Sequence, residues 1–212
     1  MPDGTETTPP SALLAALGAQ RLLPVLRSPD VPTAVAAVTA LVDAGCRVVE
    51  LTTSTPDWEH ALAECRDRHR RPAGEEGGAP PLLGVGTVTT AEQASAAIGA
   101  GADFLVSPWP APAVRAVAAR AGTVFVEGGF TPAEVADAAG RGPAKIFPAH
   151  VGGPRFVASL RAVLPQASLI PTGGIAVEEA PAYLAAGALA VGVGSGLPED
   201  PAALARLFGG AR

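Results

Sequence analysis

The chain has a single lysine, Lys145, and its place in the sequence points to covalent chemistry. Of the 15 Lys and Arg residues, 14 are arginine. Lys145 lies one residue into the apolar run 144–149, and burial there disfavours a charged ammonium. A neutral amine can attack a carbonyl carbon and form a Schiff base. A lysine at this place can also reach the rim of the protein or pair with a carboxylate, so the residue type alone leaves these interpretations open.

Glu50 is a second ionisable residue inside an apolar run, 48–52. A buried carboxylate needs a partner, and Arg27 and Lys145 are both candidates for an ion pair. A carboxylate beside an imine-forming lysine can also move protons on and off the carbon next to the imine. The two interpretations are compatible in a resting enzyme.

Two glycine-rich segments predict a site for an anionic group. Gly173 and Gly174 end one apolar run, and Gly194 and Ser195 end the next. Exposed backbone N–H groups bind phosphate at such places, and Ser195 adds a hydroxyl donor. Turn geometry also demands glycine, so a purely conformational role stays open as well.

The histidines and cysteines show no spacing that is typical of metal ligands. We expect His60 and His69 on the solvent-facing side of a helix. His150 follows the Lys145 run, and we expect it in an exposed loop or against a substrate. Cys46 and Cys65 are expected to be buried free thiols of a cytoplasmic protein.

These residues belong to a regular alternation of eight apolar runs with Ala-rich helical stretches. Continuous apolar strands are typical of a parallel sheet that is covered on both faces. Eight strand–helix units in about 190 residues predict a single (β/α)8 TIM barrel, whose functional residues lie at the carboxyl ends of the strands. An open doubly wound sheet is the alternative. The predicted strands are 22–27, 48–52, 82–88, 104–108, 123–129, 144–149, 168–174 and 190–196.

The length of 212 residues suits one such domain. We expect a disordered tail over 1–10 and a barrel domain over 11–212, with a short N-terminal helix near 11–19 and a flexible loop over 71–81. A net charge of −5 argues against a nucleic-acid partner. We expect no membrane partner either, because no apolar run approaches the roughly 18 residues that a membrane span needs.

Eight segments, in order along the chain, resemble the class I aldolases that cleave 2-keto-3-deoxy-6-phosphogluconate (KDPG) and their relatives that cleave 4-hydroxy-2-oxoglutarate (KHG). Each segment is weak alone, but together they cover nearly the whole chain. They are LPVLR at 23–27, VELTTSTP at 49–56, GVGTV at 84–88, LVSP at 105–108, FTPAE at 130–134, KIFPA at 145–149, PTGG at 171–174 and VGVGS at 191–195.

The resemblance implies that Lys145 is the Schiff-base lysine and that Glu50 is the general acid/base. It also implies a keto-acid substrate, a homotrimer, and catalysis without a metal or an organic cofactor. Trp109 ends a strand and is expected to wall the pocket. The other residues expected to contact the substrate are Arg27, Thr52, Thr87, Pro108 and Phe147, and those expected to bind its phosphate are Gly173, Gly174, Gly194 and Ser195.

Three strand-end residues depart from the family pattern. We expect the added acid and the bulky ring among them to reshape the aldehyde side of the pocket, which leaves the aldehyde partner open. Ser54 stands where many members have arginine, Trp109 where glycine is usual, and Glu127 where proline is usual. The expected reaction is cleavage of a 2-keto-3-deoxy sugar acid, foremost KDPG, to pyruvate and an aldehyde such as glyceraldehyde 3-phosphate. The alternatives are an aldolase for KHG or another 2-keto acid, a phosphosugar isomerase or epimerase, and a silent keto-acid binder.

Overall fold

A computed structural model describes residues 9–70 and 79–209 of the chain. The strands are β1 (Leu22–Leu26), β2 (Val48–Thr52), β3 (Leu82–Gly86), β4 (Phe104–Val106), β5 (Val124–Gly129), β6 (Ala144–Ile146), β7 (Leu169–Pro171) and β8 (Val191–Val193). The helices are α1 (Pro10–Gln20), α2 (Val31–Asp43), α3 (Trp58–His69), α4 (Ala91–Gly99), α5 (Pro112–Ala121), α6 (Pro132–Ala139), α7 (Ala149–Val163), α8 (Ala180–Ala185) and α9 (Pro201–Phe208).

The eight strands form one parallel sheet in the order β7-β6-β5-β4-β3-β2-β1-β8. A bridge between Thr172 and Gly192 joins the chain after β7 to β8 and nearly closes the sheet. The architecture is therefore the predicted single (β/α)8 TIM barrel, and the short N-terminal helix is confirmed as α1.

The predicted strand starts agree with the structure to within one residue, whereas several predicted ends were wrong. Strands β3 and β4 end two residues before the apolar runs do, and β6, β7 and β8 end three residues before. The predicted strands included the Gly, Ser, Thr and Pro residues that end most of the runs, and in the structure these residues lie in the loops beyond the strands. The tail prediction falls largely on residues 1–8, and the loop prediction on 71–78, which lie outside the described residues. Pro10, predicted within the tail, begins α1.

Helix α1 covers the amino end of the barrel. Leu13 and Leu17 are fully buried and pack in one cluster with Phe104 of the barrel interior. The Gln20 side chain caps the ends of two strands, because its amide donates to the Leu22 and Val48 carbonyls and its oxygen accepts from two backbone N–H groups. The amino end is thus filled by packed side chains.

A second layer of apolar side chains lies between the sheet and the helices. In β2 the side chains alternate, so that Val49 and Leu51 belong to this outer layer whereas Val48 belongs to the interior cluster. Glu50 and Thr52 share the interior phase with Val48. Interior-facing positions near the carboxyl ends of the strands are where a barrel places its chemistry.

Candidate active site

Lys145 on β6 and Glu50 on β2 meet inside the barrel. The Lys145 Nζ lies 3.5 Å from the Glu50 Oε1, and the two side chains are 6% and 1% exposed. Side chains from alternate strands share a layer in such barrels. The expectation that these two residues face each other across one layer is therefore confirmed.

The Glu50 carboxyl has an environment suited to proton transfer. Burial raises the pKa of Glu50, and the charges of Lys145 and Arg27 oppose that rise. The Glu50 Oε2 is buried, and among the described residues it has no hydrogen-bond partner. One oxygen therefore faces the amine, while the other has no donor within the part of the chain that the structure describes. A carboxyl group whose pKa moves towards neutrality can serve both as an acid and as a base.

Gly86 on β3 gives the Glu50 carboxyl its space. A Cβ atom at Gly86 would lie 1.8 Å from the Glu50 Oε1 and 2.5 Å from its Cδ. No side chain fits there without moving the carboxylate. In the sequence Gly86 is only part of the segment GVGTV at 84–88, and its role becomes visible when β2 and β3 lie side by side.

Apolar groups lie beside the amine. The Lys145 Nζ lies 5.7 Å from the centre of the Phe147 ring, and a Cβ atom at Gly173 would be 2.7 Å from that same ring. On the neighbouring strand Gly128 pairs with Lys145 in register, and a Cβ atom at Gly128 would be 2.4 Å from Pro108. Phe147 therefore lies beside the amine, and the Pro108 backbone lies against Gly128, the neighbour of Lys145 on β5; their role as pocket walls stays a prediction.

Thr87, directly after β3, has a strained backbone. Its φ of 60° lies in the left-handed region, which is an outlier for a β-branched residue and costs about 1–3 kcal/mol. The Thr53 hydroxyl donates to the Thr87 carbonyl at 2.9 Å and helps to hold this conformation. Strain of this kind is concentrated at binding and catalytic sites.

Thr52 is fully buried, and its hydroxyl is occupied within the protein. It donates to the Leu26 carbonyl at 2.9 Å and lies 2.7 Å from the Ser54 Oγ. These contacts tie the end of β2 to the end of β1. Arg27 follows Leu26, and its side chain is exposed while its charge still acts on Glu50. Arg27 is thus a cation at this rim, and Ser54 supports the tie between the strand ends through its contact with the Thr52 hydroxyl.

The two glycine-rich segments lie at the same end of the barrel. Gly173 and Gly174 have φ values of 95° and 69°, which glycine adopts without strain. Gly174, Gly194 and Ser195 are all exposed. Because the chain after β7 bridges to β8, the segments are neighbours, and their backbones are accessible to an anionic group.

Trp109 and Glu127, two of the residues that depart from the family pattern, lie in different places. Trp109 is 55% exposed, so it lies on the rim. Glu127 is buried but points towards the helices, where it accepts hydrogen bonds from the Ala111 N–H and from Arg115. The expectation that Glu127 reshapes the aldehyde side of the pocket was therefore wrong. Val124 and Val126 face the interior, and the two-residue period of the strand turns Glu127 outwards.

The predictions for two histidines and for both cysteines were partly confirmed. His60 is exposed as predicted, whereas His69 is half-buried and burial lowers the pKa of its ring. Cys46 and Cys65 are buried free thiols, as predicted. Over residues 9–70 and 79–209, no group of three or more His, Cys, Asp or Glu side chains is placed to hold a metal ion. Over the same ranges, no helix is long and apolar enough to cross a membrane.

Comparison with known proteins shows what the chain is similar to. The family model described as KDPG and KHG aldolase matches residues 14–204. A probable 2-dehydro-3-deoxy-6-phosphogalactonate aldolase of Rhizobium meliloti is 35% identical over 179 residues, which are 83% of this chain and 81% of the relative. A 2-dehydro-3-deoxy-phosphogluconate aldolase of Treponema pallidum is 34% identical over 176 residues, which are 82% and 80% of the two chains.

A solved structure resembles the fold closely along its whole length. The crystal structure of KDPG aldolase from Legionella pneumophila superposes with a TM-score of 0.79 at 27% identity, and the match covers 95% of this chain and 97% of that one. That enzyme was captured with pyruvate as a covalent carbinolamine intermediate.

Proposed function

The chain belongs to the family of KDPG and KHG aldolases, and from this membership and the site geometry we propose that it is a class I aldolase. It cleaves a 2-keto-3-deoxy sugar acid to pyruvate and an aldehyde. The observation that carries the proposal is the buried pair of Lys145 and Glu50, 3.5 Å apart at the centre of the barrel.

In the first step the Lys145 amine attacks the C2 ketone of the substrate and forms a carbinolamine. Glu50 lies near enough to give a proton to the departing hydroxyl, so that water leaves and an iminium remains. The electron-poor iminium can accept an electron pair from the bond between C3 and C4. The Phe147 ring lies beside the amine and forms an apolar wall for the pyruvyl group.

In the second step Glu50, as the carboxylate, removes the proton from the C4 hydroxyl, directly or through a water molecule. The C3–C4 bond breaks, its electron pair converts the iminium into an enamine, and the aldehyde leaves. Glu50 then returns a proton to C3, and water hydrolyses the new iminium to pyruvate and free Lys145. The raised pKa of Glu50 suits a group that must both accept and return a proton within one cycle.

The substrate-binding roles follow from the strand ends. Thr87, held in its strained conformation, binds the pyruvate carboxylate. Phe147 and Pro108 line the pyruvyl pocket, and Trp109 contacts the aldehyde end from the rim. Arg27 supplies the cation that many relatives have at the place of Ser54, and Thr52 supports it through the tie between β1 and β2. The phosphate-binding residues are Gly173, Gly174, Gly194 and Ser195.

The proposed substrate is 2-keto-3-deoxy-6-phosphogluconate or its C4 epimer, 2-keto-3-deoxy-6-phosphogalactonate. Relatives named for each of these acids match the chain at 34% and 35% identity. Both epimers give pyruvate and glyceraldehyde 3-phosphate, so kcat/KM must be measured on each. KHG tests the shorter, unphosphorylated alternative.

Borohydride trapping with pyruvate tests the proposed chemistry. Because the chain has one lysine, only Lys145 and the amino terminus can form an imine that borohydride reduces. Peptide mapping is expected to place the pyruvyl adduct on Lys145, and Lys145→Ala is expected to lose both the adduct and turnover. A folded protein without an adduct at Lys145 contradicts the mechanism, and it favours a phosphosugar isomerase or a silent keto-acid binder.

We also propose that the protein is a homotrimer that acts in the cytoplasm. The family resemblance supports the trimer, and two large apolar side chains exposed at the barrel mouth, Trp109 and Val151, suit a protein contact. Two free thiols suit a reducing compartment. Light scattering is expected to give about three times the mass of one chain, and a monomer would contradict this assembly.

A further inference from the structure

His150, at the start of α7, holds one peptide of the proposed phosphate site. Its ring Nδ1 lies 3.1 Å from the Gly173 carbonyl oxygen, and its backbone N–H donates to the same oxygen at 3.2 Å. A carbonyl oxygen only accepts hydrogen bonds, so the Nδ1 carries the proton in this contact. The Gly173 oxygen thus receives two donors from one residue.

The orientation of the Gly173 carbonyl also sets the direction of the next N–H group. In a trans peptide the carbonyl and the following N–H point in opposite directions within one plane. Because His150 holds the Gly173 oxygen, the Gly174 N–H is turned away from His150. Gly174 is exposed, and its N–H is one of the donors assigned above to the substrate phosphate.

The His150 ring also limits the movement of this segment. A Cβ atom at Gly174 would lie 2.4 Å from the His150 Nδ1 and 2.6 Å from its Cγ, so the ring lies directly against the glycine. Two consecutive glycines have more conformational freedom than any other pair of residues. A contact that fixes them therefore lowers the entropy that phosphate binding must otherwise remove.

We propose that His150 is a positioning residue for the phosphate end of the substrate. It acts through the Gly173–Gly174 peptide: the ring holds the carbonyl, and the Gly174 N–H is presented to the phosphate. The inference rests on the phosphate site of the proposed function. It assigns to His150 part of the preference for a phosphorylated substrate over the same acid without phosphate.

Asparagine and glutamine variants separate the hydrogen bond from the bulk of the ring. The Asn amide nitrogen takes the place of the His Nδ1, whereas the longer Gln side chain carries its nitrogen near the place of Nε2. The measured quantity is kcat/KM for the 2-keto-3-deoxy-6-phospho acid divided by kcat/KM for its unphosphorylated form, on the C4 epimer that is cleaved faster.

For His150→Ala and His150→Gln we expect this ratio to fall about five- to tenfold, the effect of losing one hydrogen bond. The fall should appear as a higher KM for the phosphorylated substrate, with kcat little changed. His150→Asn should stay within about twofold of the wild type. The control His60→Gln changes an exposed histidine on α3 and should leave the ratio unchanged.

Two kinds of result would overturn the inference, and they are distinguishable. A wild-type enzyme without preference for the phosphorylated acid removes the phosphate site itself, and the inference with it. A wild type with a clear preference that His150→Ala retains, or that Ala and Asn lose equally, leaves the phosphate site standing and refutes the positioning role of the Nδ1 hydrogen bond.

Discussion

Replacing Gly86 with alanine should displace the proton-transfer group while leaving the lysine in place. The added Cβ atom would lie 1.8 Å from the Glu50 Oε1, whereas ordinary contacts between such atoms begin at about 3.4 Å. The carboxylate must therefore move by roughly 1.6 Å, the difference between these two distances. The Lys145–Glu50 contact is already 3.5 Å, so a shift of this size separates the pair or changes its direction.

The expected cost is large in kcat and small in the ability to form the imine. Misplacement of a catalytic group by about 1 Å costs on the order of 100-fold, and loss of general acid–base catalysis costs about 100- to 10,000-fold. We expect kcat for Gly86→Ala to fall by about 100- to 1,000-fold. Exchange of the pyruvate methyl protons with D2O, followed by NMR, should slow by a similar factor, whereas borohydride should still trap pyruvate on Lys145.

Two glycine variants serve as controls. Gly84→Ala introduces a comparable clash one interior position away, but against the Phe104 ring, so it should lower stability by about 1–3 kcal/mol and keep methyl exchange much faster than Gly86→Ala. Gly99 lies in α4 with open space around it. Gly99→Ala should therefore leave the rate of methyl exchange at the wild-type value. The reasoning is refuted if Gly86→Ala exchanges the pyruvate methyl protons within threefold of the wild-type rate.

Three further predictions concern buried ionisable groups. Because burial raises the pKa of Glu50, activity should rise with pH over a range above that of an ordinary carboxyl group, and Glu50→Gln should remove this limb of the kcat/KM profile. Glu127→Ala should lower the unfolding free energy by about 2 kcal/mol, because it leaves the Ala111 N–H and the Arg115 guanidinium without their acceptor. The KM should not change, and a changed KM would place Glu127 in the pocket. Burial raises the pKa of Cys46 to about 12 and that of Cys65 to about 11. At pH 8 both thiols should therefore resist a thiol reagent until urea unfolds the chain. The unfolding free energy should also fall as the pH rises above 9.0, because the unfolded chain then loses thiol protons that the folded chain keeps.

The parts of the fold and site that were predictable depend on periodic patterns. Eight apolar runs separated by helical stretches were enough to predict the barrel, and the even numbers of β2 and β6 were enough to place Glu50 opposite Lys145. In each case a local rule and the global fold agree.

The parts that were missed depend on contacts between distant segments. Three features of the site could not be read from any repeating pattern in the sequence. They are the left-handed backbone of Thr87, the space that Gly86 leaves for Glu50, and the contact between His150 and Gly173. Glu127 is different, because its outward direction follows from the two-residue period of β5, on which Val124 and Val126 face the interior. The Gly, Ser, Thr and Pro residues that end most of the predicted runs lie in loops, so the predicted strands were too long.

The packed amino end of the barrel has a kinetic consequence. Because Leu13, Leu17 and Phe104 fill that end, the substrate reaches Lys145 from the carboxyl end, and both products leave by the same path. The pyruvyl group is bound to the lysine at the inner end of this path, while the aldehyde lies nearer the mouth. The aldehyde therefore departs first, and pyruvate follows after hydrolysis. Product inhibition should be ordered accordingly, with pyruvate competitive against the sugar acid and the aldehyde non-competitive.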